Sequence, residues 1–103
     1  MSGEYIIHFE IRDMLIMKNA LEQMGYNYQE LGNGQISIKA GFRDIFIDGN
    51  AGTITCNDSL MAEADKIKQG YMVEFYREKA IQEGNQVHVE EQADGSVDIY
   101  LTN

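Results

Sequence analysis

Between Tyr26 and Cys56 the apolar residues recur at every second position in short bursts, and no interval between the bursts is long enough to hold a helix. Ile36, Ile38 and Ala40 alternate with Ser37 and Lys39. Ile45 and Ile47 alternate with Asp44, Phe46 and Asp48, and Thr53-Ile54-Thr55-Cys56 follows. A period of two is that of a strand with one buried face. The joints are Gly32-Asn33-Gly34, Gly41, and Asp48-Gly49-Asn50-Ala51-Gly52. Parallel neighbours need a crossover of about a dozen residues or more, so joints this short dictate an antiparallel meander. The chain has no proline, and its turns rest on Gly and Asn.

On either side of the meander the period changes. Tyr5, Ile7, Phe9 and Ile11 alternate with Ile6, His8 and Glu10, which reads as a first strand. Met14, Met17, Leu21 and Met24 then recur at steps of three and four, with Asp13 placed to cap the helix and Gly25 to end it. Tyr26 to Leu31 forms a short strand before the Asn33 turn. Asn57-Asp58-Ser59 opens a second helical region in which Leu60, Ala64, Ile67, Tyr71 and Phe75 share one face. After Gly70 the stripe drifts to Val73, Tyr76 and Ala80. The pattern fits either one long helix buried on a broad side or two helices broken near Gly70, and Gly84 closes it. Val87 and Val89 alternate with His88 and Glu90, and Val97, Ile99 and Leu101 with Asp98 and Tyr100. With Asp94-Gly95 between them, these runs carry the signature of a hairpin with one apolar face. The expectation is an α+β fold, an antiparallel sheet with two helical segments packed on one face, in the order β-α-β-β-β-β-α-β-β. Residues 1–103 are expected to form a single domain.

Composition narrows the setting. The chain is 44% apolar and 24% charged, the ordinary mixture for a domain that buries its own core. No apolar run reaches the roughly 20 residues of a membrane helix. Met1-Ser2-Gly3-Glu4 lacks the basic start and long apolar stretch of a secretory leader. Cys56 is the single cysteine, so no internal disulfide forms, which fits a reducing compartment. The expected location is the cytoplasm or an equivalent interior such as a plastid stroma. The net charge is −9, and the acidic excess lies mainly in residues 53–103, with ten acidic side chains against four basic. That balance opposes direct nucleic-acid binding, which needs clustered Lys and Arg, and favours partners with basic surfaces.

Two stretches are similar to a known pattern. One runs from Gly70-Tyr71 through Glu78-Lys79-Ala80-Ile81-Gln82-Glu83-Gly84 and Val87-His88-Val89-Glu90-Glu91-Gln92-Ala93-Asp94-Gly95-Ser96 to Val97-Asp98-Ile99-Tyr100-Leu101. The other joins His8-Phe9-Glu10-Ile11-Arg12-Asp13 to Ala20-Leu21-Glu22-Gln23-Met24-Gly25-Tyr26, with Asp44-Ile45-Phe46 between the two. Together they resemble the hypothetical chloroplast reading frame thirty-five family, small proteins of plastids, cyanobacteria, other bacteria and phages. The chain departs from that family in having no tryptophan and in ending Leu101-Thr102-Asn103 rather than in a basic, aromatic tail. The resemblance implies a fold. It carries no reaction, because the matching pieces are structural rather than catalytic.

Candidate chemistry is sparse. His8 and His88 would meet only if their strands pair, and otherwise are two separate surface histidines. Cys56 lacks a nucleophile motif and reads as a buried strand cysteine. Asp48-Gly49-Asn50 opens like a calcium loop, but Gly52, Ile54 and Cys56 stand where further ligands belong. Gly32-Asn33-Gly34 lacks the strand-to-helix setting of a phosphate loop. Tyr71, Phe75 and Tyr76 form either core packing or an aromatic platform, with core packing favoured by their helical spacing. Glu74, Glu78, Glu83, Glu90, Glu91, Asp94 and Asp98 form either a solvated face or a continuous negative one able to imitate phosphates.

No catalytic, cofactor or metal site is therefore expected. The leading expectation is a non-enzymatic protein-interaction or regulatory module. It would meet a basic protein surface through a sheet edge, the final hairpin or a helix face, with Glu74, Glu78, Glu90, Glu91, Asp94, Asp98 and Tyr100 as partner-binding residues. Homodimerisation through an exposed sheet edge is a further option. The alternative is an acidic nucleic-acid mimic, for example a phage-encoded anti-defence protein, that occupies a basic groove of a host complex. An enzyme would need His8, His88, Cys56 and a carboxylate to converge.

Overall fold

The computed structural model describes residues 3–84, 86–93 and 96–102, and of residues 86–89 and 99–102 the backbone alone. The elements follow the expected order. Strand β1 (Glu4–His8) leads to helix α1 (Met14–Gln23). The meander is β2 (Tyr28–Gly32), β3 (Gln35–Ala40), β4 (Arg43–Asp48) and β5 (Thr53–Asn57). A 3-10 turn (Asp58–Leu60) opens helix α2 (Met61–Gln82), and β6 (Gln86–Glu91) and β7 (Val97–Thr102) complete the chain. The first strand stops at His8, short of the apolar alternation, which runs on to Ile11. Phe9 and Ile11 still turn inward, so the pattern reports burial and not ladder pairing.

All five strands of the main sheet are antiparallel, in the order β1-β5-β4-β3-β2. The register stacks isoleucines side by side: Ile7 opposite Ile54, Ile54 opposite Ile47, Ile47 opposite Ile36, and Ile45 opposite Ile38. These side chains are buried and form the floor of the core. Branched side chains facing one another across strands are the stabilising unit of a sheet. Met17, Ala20 and Leu21 of α1 and Ala64, Ile67 and Tyr71 of α2 are buried, most of them in the same cluster. Both helices therefore pack on one face.

Local chemistry sets the boundaries. The Asp13 carboxylate accepts from the Leu15 amide at 2.9 Å and caps α1. Asn57 does the same for the 3-10 turn through the Ser59 amide. Asn33 and Gly34 both have positive φ (53° and 76°), the pairing that a two-residue hairpin of the right twist demands.

Helix α2 runs unbroken through Gly70. At about 1.5 Å per residue its 22 residues span roughly 33 Å, about twice the length of a five-residue strand. Its first half covers the sheet, and its second half overhangs. The overhang explains the drift of the apolar stripe. At about 100° per residue, Val73 and Ala80 leave the helix on the side away from Tyr71. The β6–β7 hairpin packs against α2 and is a separate two-stranded sheet, not an extension of the main one. Val97 joins Val73 along this second contact. The Asp94-Gly95 turn lies outside the described residues.

Candidate functional site

Because both helices lie on one face, the other face of the five-stranded sheet is left open. One row crosses every strand of it: Ile6 opposite Thr55, Thr55 opposite Phe46, Phe46 opposite Ser37, and Ser37 opposite Gln29. Ile6 is 46% exposed, Phe46 47% and Leu31 49%, although their inward-facing neighbours Ile7, Ile45 and Ile47 are buried. Leu31 and Phe46 share a shallow hollow of about 300 Å³ with Thr53 and Thr55. Glu4, Asp44 and Asp48 alternate onto the same side as Phe46, and Lys39 stands opposite Asp44. An apolar centre with an acidic rim is the layout of a protein interface. Phe42 is fully exposed at the tip of the two-residue β3–β4 turn. Strand alternation placed Phe46 on the outer face, but nothing in the sequence distinguished that face from one covered by further chain.

The acidic residues singled out from the sequence do not form one uniform surface. The Glu74 side chain is only 14% exposed and accepts from Arg77 Nη1 at 2.9 Å. It lines a groove of about 570 Å³ together with Ala20, Met24, Lys66, Arg77 and Glu91. Glu78 is exposed on α2. On the hairpin Glu90 stands directly opposite Asp98, both are exposed, and Asp98 accepts from Gln92 Nε2 at 2.8 Å. Asp94 and the Tyr100 side chain lie outside the described residues, and the Tyr100 backbone pairs with His88.

The histidine strands do not pair: β1 neighbours β5 alone, and β6 pairs with β7. His8 emerges on the open face, opposite Thr53, whereas Cys56 is buried on the helix face, opposite Tyr5. Burial pushes the Cys56 thiol up, and Asp65, Glu63 and Asp58 add to the effect. A thiol held protonated is a poor nucleophile. The Asp48 carboxylate is spent on hydrogen bonds from the Ala51 amide, Gln35 Nε2 and the Asn50 amide, which hold its pKa below the usual carboxylate range despite some desolvation. Among the described residues no three of His, Cys, Asp and Glu gather as metal ligands do.

The aromatic stripe divides. Tyr71 is core, 2% exposed, and accepts from the Arg12 amide at 2.8 Å and the Asp13 amide at 3.3 Å, pinning the start of α1. Phe75 is half-buried and Tyr76 exposed. With Phe9 they wall a cleft of about 330 Å³ that also touches Glu10, Arg12, Met72 and Lys79. Sequence reasoning missed Phe9, Arg12 and Lys79. Phe9 read only as one more inward residue of the first strand's alternation, Arg12 lies just past the end of that alternation, and Lys79 had no reason to stand out on a charged helix.

The chain matches no protein-family model, no curated protein and no solved structure at a significant level. Among the described residues no helix is long and apolar enough to cross a membrane.

Proposed function

We propose that this chain is a non-enzymatic interaction module of the cytoplasm or an equivalent interior, and that it docks a basic protein surface on the open face of its main sheet. The uncovered row Ile6–Thr55–Phe46–Ser37 carries the reading. Burying half-exposed apolar side chains against a partner is favourable by roughly 25 cal/mol per Å². The rim carboxylates of Glu4 and Asp44 select a knob of apolar residues flanked by Lys or Arg. Membership of the hypothetical chloroplast reading frame thirty-five family is part of the same proposal.

The test is selection of a displayed peptide library on the full chain, followed by amide chemical-shift mapping. Enriched peptides should pair an apolar or aromatic residue with flanking Lys or Arg. Their shifts should centre on Ile6, Phe46 and Thr55, and Phe46→Arg should abolish binding without unfolding the chain. Enrichment of acidic peptides, or shifts confined to the helix side, would sink the proposal.

A second reading, the acidic nucleic-acid mimic, is favoured by one observation. Glu90 and Asp98 hold two exposed carboxylates side by side on a paired ladder. Like charges directly opposite are destabilising, so the arrangement costs stability. Under this reading the wild type displaces a short DNA duplex from a basic nucleic-acid-binding protein. The Glu90→Gln, Glu91→Gln, Asp98→Asn variant does not.

A further inference from the structure

We propose that the aromatic cleft between the end of β1 and the middle of α2 is a binding site for a small planar organic anion, an aromatic ring carrying one carboxylate or phosphate. Its walls are a relay of rings, with centroids 5.8 Å apart from Phe9 to Tyr71, 5.9 Å from Tyr71 to Phe75 and 5.7 Å from Phe75 to Tyr76. The cleft of about 330 Å³ lies at the small end of the range for ligand pockets, which suits one or two fused rings rather than a large cofactor. Ring walls receive a flat ligand by offset or edge contact.

Three features specify the charge. First, the chain carries 17 acidic and only eight basic side chains, yet three of the eight gather here. Arg12 and Lys79 line the cleft, and Lys68 Nζ stands 5.9 Å from the centre of the Phe9 ring. A cation entering would meet all three. Second, these cations are only partly neutralised. Glu10 accepts from Arg12 Nη2 at 3.1 Å, which engages one of the five guanidinium N–H groups. Lys68 and Lys79 form no ion pair with the described residues. Third, the Tyr71 hydroxyl has one donor and two acceptor positions. The Arg12 and Asp13 amides occupy both acceptor positions. The remaining proton has no acceptor among the described residues, so this buried tyrosine, itself part of the cleft wall, has a hydrogen bond left to donate. An oxygen of a bound anion completes it. Ring walls, three neighbouring cations and an unspent buried O–H describe one ligand chemistry.

This site is distinct from the open sheet face and does not depend on it. The experiment is titration of the full chain with indole-3-acetate, read by amide chemical shifts. Saturable shifts are expected at Arg12, Asp13 and residues 72–79. The neutral isostere indole-3-acetamide should bind about tenfold more weakly, as loss of one charge-assisted hydrogen bond implies, and acetate, which lacks the ring, likewise. Lys79→Gln should weaken indole-3-acetate by about tenfold. Glu10→Gln, which removes the competing negative charge beside the guanidinium, should tighten it several-fold, a gain that no damaged fold would produce. Indole-3-phosphate in place of the carboxylate separates the two anion types by their relative affinities. Equal binding of acid and amide overturns the proposal, as do shifts centred on the Val73–Val97 side of α2. So does the lack of saturable binding up to about 10 mM ligand, where even a millimolar site would be filled.

Discussion

Gly70 sits at the middle of α2, where a glycine costs about 1 kcal/mol relative to alanine, and the helix passes through it without a break. The reason lies on α1. A Cβ built on Gly70 would fall 2.7 Å from both Sδ and Cε of Met24. The missing side chain is thus the slot into which the Met24 thioether packs. Gly70→Ala sets two effects of similar size against each other. Helix propensity gains about 1 kcal/mol. Displacing Met24 costs about 0.5–1.5 kcal/mol in rotamer strain, with some lost packing. The cost stays in that range because the colliding atoms are the free end of an unbranched side chain bordering an open groove, into which it can swing. The single variant should therefore lie within about 1 kcal/mol of wild type. In a Met24→Ala background the collision is gone, and the same substitution should stabilise by the full amount of about 1 kcal/mol. Urea unfolding followed by circular dichroism measures both, and the cycle should return a coupling of about 1 kcal/mol. Were Gly70→Ala to remain neutral or harmful without the Met24 side chain, the account of the slot would be wrong.

Two further outcomes follow from the geometry. Gly52 has φ +69°, and a Cβ there would fall 2.6 Å from the Phe9 carbonyl oxygen, a backbone atom that cannot swing aside. Gly52→Ala should cost about 2–4 kcal/mol from left-handed strain and loss of the Phe9 N–H bond to the Gly52 carbonyl, and it should shift the Phe9 resonances; a loss below about 0.5 kcal/mol in a urea titration would contradict this. Asp48 is held below its ordinary value of 3.8, first by the Ala51 amide and next by Gln35. Its stabilisation is therefore fully present above that value and fades as pH falls through the lowered folded-state midpoint. A carboxyl carbon titration should place the midpoint under 3.8, and Gln35→Leu should raise it part of the way back; a wild-type midpoint at or above 3.8 refutes the assignment.

Periodicity and turn residues together determined that there are strands and two helical regions, their order and the antiparallel connections. Isoleucine alternation and joints of no more than five residues leave few other solutions, and local polar groups fix the ends, as Asp13 and Asn33-Gly34 illustrate. Position along the chain could not determine what stands on the far side of each element. Whether Gly70 breaks α2 depended on Met24, 46 residues earlier. Whether Val73 and Ala80 belonged to a second helix depended on a hairpin seated behind the first. The candidate sites were less legible still. Phe46 reads as one outward residue among many until both helices are seen to choose the opposite face. Phe9 and Arg12 come from the link after β1 and Tyr71 and Lys79 from α2, two distant stretches that meet only when β1 is paired with β5 and α2 lies across it. Local sequence fixes backbone geometry through short-range sterics and hydrogen bonds, whereas a surface or a cleft is assembled from side chains distant along the chain, and only the packed fold sets their distances.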